Sequence, residues 1–405
     1  MTSDLFRRIS RFARSGLRPQ LCLLAVLLTA SAVFARSEQV RPGTPPLPPL
    51  VDPAPIVPAQ APRIEAVFVL DTTGSMSGLI EGAKQKIWSI ANQLASAQNG
   101  PQVRLGLIGY RDRGDHYVTR RFDLSEDVDA LYAQMSQFRA DGGGDGPESV
   151  NQALNEAVTR MSWSADQGVY RVIFLVGDAP PHMDYSNDVP YPKSVELAKA
   201  KGIVVNAIQC GSDANTARVW RSIAGSGQGA FSAIAQDGGM LAMTTPMDDE
   251  LGRLNTELAG TAIGYGTTAD KDDLFGKMKR ALSAAPSAVA SRLSYLSKSG
   301  GKLNSGRADL VDAVESDEVA LEEVPIDALP EEMQAMSRDE QHDYLRQKTA
   351  ERESLRQRIA TLVEQRDSYV AKEIAELEAE GKHDGFDAEV MESIRSQAVD
   401  YGIVY

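Results

Sequence analysis

Short runs of hydrophobic residues alternate along the middle of this chain with stretches in which apolar positions recur every three or four residues. The first run, Val67 to Leu70, stops at Asp71, and a polar turn holding Thr73, Gly74 and Ser75 follows it. Ile80, Ala83, Ile87, Ile90 and Leu94 then mark one face of an amphipathic helix. Val103 to Tyr110 reads as a second strand, and Tyr117 to Phe122, more polar, as an edge strand suited to antiparallel pairing. Val128 to Phe138 and Glu148 to Met161 have helical spacing, and Arg171 to Val176 is again a strand without a polar face. Val195–Lys201, Ile203–Gln209, Thr216–Ala224, Ala230–Ile234 and Leu251–Ala262 continue as helix, strand, helix, strand, helix. This alternation predicts an α/β fold: a doubly wound, mostly parallel sheet with right-handed crossovers and helices on both faces.

The pattern changes on either side of that core. Arg7, Arg8, Arg11, Arg14 and Arg18 precede an uncharged, mostly apolar run, Leu21 to Phe34, and Val33-Phe34-Ala35 places small residues at a cleavage position. That is the layout of a secretory signal peptide over residues 1–35, too short for a comfortable membrane span. An uncleaved signal anchor is the alternative; Arg7-Arg8 is a weak hint of twin-arginine export, and no lipobox surrounds Cys22. Residues 36–62 are a linker, with nine prolines between Arg41 and Pro62 that favour an extended, semi-rigid spacer. The α/β domain is placed at 63–264. Residues 265–336 read as an acidic, partly flexible connector, because Asp309 to Met336 holds ten acids and no base. From 337 to 405 the pattern is helical and charged. Leu355, Ile359, Leu362 and Tyr369 form a broken stripe, interrupted by Arg366, that suits packing on the chain's own domain better than a coiled coil.

Composition narrows the function. The 405 residues carry a formal net charge of −14, which argues against nucleic acid as a partner. Removal of residues 1–35 takes away five arginines and one aspartate and leaves the remainder more acidic still. Of the two cysteines, Cys22 lies in the leader and Cys210 ends an apolar run, so an intrachain disulfide and a cysteine metal site are both excluded for the exported form. Cys210 reads as a small buried hydrophobe.

Chemistry collects where strands end. Asp71-x-Thr73-x-Ser75 leaves the first strand with one carboxylate and two hydroxyls at alternate positions, which can converge on one hard cation, and Gly74 relaxes the turn. Asp141-Gly-Gly-Gly-Asp145-Gly-Pro-Glu148 stands before a helix and adds two carboxylates on a backbone that a ligand can approach closely. Asp178 directly follows the apolar strand ending at Val176, as Asp71 follows the first. Taken singly, the first two loops also read as ordinary helix capping or helix-dipole chemistry. Open α/β sheets place ligands at the carboxyl ends of their strands, where all three loops lie.

The three loops, in this order and spacing, resemble the metal-ion-dependent adhesion site of von Willebrand factor A domains, with the Asp-x-Pro-Glu of the second loop similar to integrin β-subunit and hemicentin-like A domains. The resemblance covers about Arg63 to Gly264. It implies that Thr73 and Ser75 supply hydroxyl oxygens, that Glu148 or Asp145 completes the side wall, and that Asp71 and Asp178 act mainly through ordered water. It implies Mg²⁺, with Ca²⁺ or Mn²⁺ as competitors, and a coordination position open to an Asp or Glu of a protein partner. Thr73 stands where serine is commoner, which keeps the hydroxyl. Ser77, Gly78 and Gly143 occupy positions where integrin β domains carry ligands of flanking cation sites, so a single site is expected. His182 is assigned to the partner-binding rim, with loop stabilisation as its plainer role.

Smaller signals carry less. Arg113-Gly114-Asp115 spells a tripeptide that integrins recognise, but a strand-connecting turn needs such residues anyway. Gly225-Ser-Gly-Gln-Gly229 follows a helix and enters a strand, the wrong context for phosphate. No serine or cysteine has a motif-level histidine partner, so a non-enzymatic role is expected. The expected function is cation-dependent protein binding by an exported, periplasmic or extracellular protein, in contact with a membrane only through an uncleaved leader. An assembly or regulatory subunit that recruits through its helical tail is the second reading, and a metal-dependent hydrolase the third.

Overall fold

The architecture follows from the strand that leads into Asp71. β1 (Arg63–Asp71) is buried along almost its whole length, flanked by β2 (Gln102–Tyr110) and β4 (Val169–Gly177), both parallel to it. The protein is described here from a computed structural model, which covers residues 62–98, 100–144, 146–240, 243–299, 308–380 and 385–405. β3 (Thr119–Ser125) pairs antiparallel with β2 at one edge, and β5 (Ile203–Cys210) and β6 (Gln228–Ile234) extend the sheet beyond β4 in parallel. The strand order is β3-β2-β1-β4-β5-β6, so the chain leaves β1 towards one edge and returns across it to build the other. The crevice outside the carboxyl ends of β1 and β4 is therefore the topological switch point, where such sheets hold ligands. The doubly wound α/β fold is borne out.

The period-two alternation of β1 divides the core. Val67 and Val69 face a cluster that includes α3 (Val150–Thr159), α4 (Tyr191–Ala200) and α5 (Ala214–Ser226), where Leu154, Val195 and Trp220 are buried. Phe68 and Leu70 face the opposite cluster, which takes in α1 (Ser77–Ala95), α2 (Val128–Met135), α6 (Asp248–Ala259), α7 (Thr268–Leu282) and α8 (Pro286–Lys298). Cys210 lies wholly inside this second cluster.

The region after Tyr265 corrects one expectation. The acidic stretch contains α9 (Leu310–Glu315) and α10 (Glu331–Gln334), and Leu310, Val311, Leu329 and Met333 are buried in a hydrophobic cluster of their own. It is folded against α11 (Arg338–Ala379), not an open connector. The reason is charge neutralisation at long range: Arg352 of α11, wholly buried, donates to Asp309 Oδ2 at 2.8 Å, Asp312 Oδ1 at 2.7 Å and Thr261 Oγ1 at 2.9 Å. Arg366, which breaks the apolar stripe of α11, is also buried, with its Nε 3.0 Å from Asp248 Oδ1.

α12 (Phe386–Ala398) returns to the sheet. Phe386, Val390, Met391 and Ile394 are buried in the same cluster as Phe68 and Leu70, and Gln397 exchanges hydrogen bonds with Asn206 on β5 and accepts one from Tyr170 on β4. The final residues close on the end of α1: the Tyr405 hydroxyl donates to the Leu94 carbonyl at 3.1 Å, and just beyond the helix Gln98 donates its backbone N–H to the Val404 carbonyl at 2.8 Å. The described residues thus make one compact unit. The leader, the possible anchor segment and the proline-rich linker all lie outside the described residues, except for Pro62. Among the described residues, no helix is long and apolar enough to cross a membrane.

Candidate metal centre

β1 delivers Asp71 fully buried at its carboxyl end, and a single 3₁₀ turn, Gly74–Met76, starts the path into α1. Asp71 Oδ1 accepts hydrogen bonds from the Thr73 backbone N–H at 2.9 Å and the Thr73 hydroxyl at 2.7 Å. Thr73 Oγ1 lies 3.3 Å from Ser75 Oγ. The alternate spacing of the first loop thus brings one carboxylate and two hydroxyls together, as the sequence predicts. Gly74 donates its N–H to the Gly142 carbonyl at 3.2 Å, which joins the first loop to the glycine-rich second one.

Glu148 enters from the second loop with 3% exposure, locked by backbone hydrogen bonds from its N–H to the Pro180 carbonyl and from the His182 N–H to its own carbonyl. Gly143, at φ +81°, is where a side chain would spoil the site: a Cβ there would stand 3.0 Å from Thr73 Cβ and 3.1 Å from Glu148 Oε1. Asp178 enters from the end of β4. A cleft of about 270 Å³ is lined by Thr73, Ser75, Gly142, Gly143, Glu148 and Asp178. The structure therefore brings together Asp71, Thr73, Ser75, Glu148 and Asp178. Asp145 lies outside the described residues.

The electrostatics of this cluster call for a cation. Asp71 Oδ2 and Glu148 Oε2 are buried with no hydrogen-bond partner, an arrangement that folded proteins rarely tolerate. Burial pushes the Asp71 carboxyl up to about 7, against hydrogen bonds from Thr73 that pull it down, and the charge of Asp178 raises it further. Burial also pushes Glu148 up to about 9, helped by the charges of Asp71, Asp112, Asp115 and Asp178. A divalent ion would reverse both shifts. All the donors are hard oxygens, which suits Mg²⁺, Ca²⁺ or Mn²⁺ better than a thiophilic metal. Among the described residues no group of three or more His, Cys, Asp or Glu side chains could hold an ion, so an ion here would have to draw on the two hydroxyls as well.

One sequence assignment changes. His182 is 7% exposed, not at the rim: its ring stacks on Tyr185 at 4.2 Å, Nδ1 lies 2.8 Å from Asp184 Oδ1, and Nε2 lies 3.4 Å from Asp112 Oδ2. Its neighbours are one ring and one carboxylate of the third loop and one carboxylate of the loop after β2, so it stabilises the third loop from behind. The Arg113-Gly114-Asp115 tripeptide is not presented for recognition. Arg113 pairs with Asp188 at 2.5 Å and lies over the Tyr185 ring, while Asp115 Oδ2 accepts from the backbone N–H groups of Asp112 and Gly143.

The loop after β2 contributes residues that no motif announced. Arg111 donates to the Thr72 carbonyl at 3.2 Å and the Arg139 carbonyl at 2.6 Å, which ties the first loop to the second. Asp112 accepts from Ser149 Oγ at 2.9 Å and from the Tyr185 hydroxyl at 2.8 Å, which ties the second to the third. Their only sequence signal was a cluster of charges directly after a buried strand.

Comparison with known proteins agrees with this fold. Residues 65–246 match the family model described as von Willebrand factor A domain. An α-protein kinase of Dictyostelium discoideum, vwkA, is 31% identical over 29% of this chain and 19% of its own length. The human von Willebrand factor A domain-containing protein 7 is 33% identical over 28% of this chain and 12% of its own. The chain thus spans less than a fifth of the length of these relatives. Among solved structures, proximal thread matrix protein 1 of the mussel byssus, with zinc in its metal-ion-dependent adhesion motif, gives a TM-score of 0.34 at 17% identity, over 44% of this chain and 43% of that one. With its doubly wound sheet and its match over residues 65–246, this chain contains a von Willebrand factor A domain.

Proposed function

We propose that this protein binds protein partners through a divalent cation, Mg²⁺ by preference, held at the carboxyl ends of β1 and β4. The observation that carries the proposal is the pair of buried, unpartnered carboxylate oxygens, Asp71 Oδ2 and Glu148 Oε2, in a cleft that also holds the hydroxyls of Thr73 and Ser75. Asp71, Thr73, Ser75, Glu148 and Asp178 would hold the ion. When bound, the ion supplies a positive, Lewis-acidic centre to which a partner's Asp or Glu carboxylate can bond. The chain's own residues prepare that event. Asp71 orients the Thr73 hydroxyl by accepting its hydrogen bond. Arg111 and Asp112 hold the three loops in register, so little ordering is left for binding to accomplish.

A binding role is favoured over hydrolysis because His182, the histidine of the third loop, is buried behind the site among Asp112, Asp184 and Tyr185. Recruitment by a separate helical tail is disfavoured because α12 is packed into the core of the A domain. The basic and apolar pattern of residues 1–35 supports export, and with it a periplasmic or extracellular partner.

The test is a pull-down with the full chain from envelope extract in Mg²⁺, in EDTA, and with the Ser75→Ala protein in Mg²⁺. A partner held only by the wild type in Mg²⁺ supports the proposal. A partner held equally in all three conditions moves recognition to another surface.

A further inference from the structure

Beyond the three loops lies a fourth, after β6, and it reaches the metal centre through one side chain. Gln236 Nε2 donates to Asp178 Oδ2 at 2.7 Å and lies 3.4 Å from the Ser75 carbonyl oxygen. One amide therefore touches the third loop and the first together. The loop is held on both sides of Gln236. Before it, the Gly211 N–H donates to the Ile234 carbonyl at 2.9 Å. After it, the Gly238 and Gly239 carbonyls accept from Phe386 N–H at 2.9 Å and Gly385 N–H at 3.1 Å, at the start of α12. Gly211, at φ +77°, has no side chain, and a Cβ there would collide with Gln236 Oε1. Room for the glutamine is built into the end of the neighbouring strand.

On the reading that the cleft takes a divalent ion, we infer that Gln236 is a positioning residue of the metal centre, which holds the Asp178 carboxylate in place and leaves the negative charge of the cluster for the ion. The residue type supports the inference. The side-chain amide of Gln236 is the donor that meets Asp178 Oδ2. A lysine or arginine would supply that donor together with a full positive charge and would compete with the cation for the same carboxylates. An amide donates without charge. Outer partners that orient metal-binding carboxylates in this way typically govern affinity by about 10-fold or more. Gln236 is itself exposed, so its replacement removes no core packing.

The test is calorimetric titration of Mg²⁺ into the metal-free full chain, for the wild type, Gln236→Met and Gln236→Lys, with the melting temperature of each metal-free protein recorded alongside. The methionine variant should bind Mg²⁺ about 10-fold more weakly, with a metal-free melting temperature close to that of the wild type. The lysine variant should lose Mg²⁺ uptake and melt higher without metal, because its ammonium group takes the place of the ion. A wild-type Mg²⁺ affinity in both variants overturns the inference and leaves the metal site standing. A wild-type protein that takes up no Mg²⁺, Ca²⁺ or Mn²⁺ overturns the metal-binding proposal and this inference with it.

Discussion

The ring of Phe386 meets the ring of Phe68 edge-on, with centroids 6.1 Å apart, so the last helix of the chain packs on its first strand. Phe386 is 2% exposed, and the neighbouring Val390, Met391 and Ile394 are equally enclosed. Phe386→Ala should cost about 3–5 kcal/mol, the range for truncating a buried aromatic side chain. Removal of residues 385–405 should unfold the A domain and not merely trim it. Chemical denaturation followed by circular dichroism would check both, and a truncated chain that melts like the full one would show that the sheet is covered without α12.

The buried carboxylates set a second expectation. Glu148→Gln should raise the stability of the metal-free protein at neutral pH, because it removes the cost of keeping a proton on a carboxyl that burial and four neighbouring acids push up to about 9. The same change should weaken divalent-ion binding by removing a negatively charged oxygen. Thermal melts with and without Mg²⁺ separate the two effects: the variant should start higher and gain less.

The pH dependence follows from the direction of the shifts. Asp71 is raised from 3.8 to about 7 and Glu148 from 4.5 to about 9 in the folded, metal-free protein. Between those limits the folded state binds more protons than the unfolded one, so metal-free stability should fall as pH rises from about 4 through about 9. An ion requires the deprotonated carboxylates, so the stabilisation by saturating Mg²⁺ should grow over the same interval. Urea melts at pH 5, 7 and 9, in EDTA and in Mg²⁺, would show the two curves diverging. Parallel curves would remove the metal from the explanation.

Arg352 offers a test away from the site. Its guanidinium is buried between Asp309 and Asp312, and burial holds the Asp309 carboxyl above its usual range even with the arginine in place. Arg352→Met should cost about 3–5 kcal/mol, because Asp309 is then left buried without its counter-charge and Asp312 keeps only Arg356, at 3.0 Å. The triple change Arg352→Met, Asp309→Asn, Asp312→Asn should recover much of that loss, as measured by equilibrium unfolding.

The alternation of strands and helices was legible along residues 64–262 because each element is specified locally: uniform apolar runs for strands buried on both faces, and spacing of three and four for helices. The cluster of strand-end oxygens was legible for a related reason. Asp71, Thr73, Ser75 and Asp178 directly follow such strands, and the position of a strand's end is a local property. Other features needed the tertiary fold. Gln236 sits in a loop with no distinguishing composition, and only the parallel pairing of β5 with β6 brings it to Asp178. His182 lies four residues beyond Asp178 yet turns away from the cleft, because Tyr185 and Asp112 enclose its ring.

What the sequence determined by itself was the class of fold, the strand ends whose carboxylate and hydroxyl oxygens cluster, and the burial of Cys210. Each depends on residues adjacent in the chain or one helical turn apart. The tertiary structure alone decided that the acidic stretch folds and that the C-terminal helix completes the sheet's core. Both outcomes rest on partners far apart along the chain, Arg352 with Asp309 and Phe386 with Phe68. A run of acids is soluble and open until a buried arginine neutralises it, and a lone amphipathic helix has no address until a sheet presents an uncovered face.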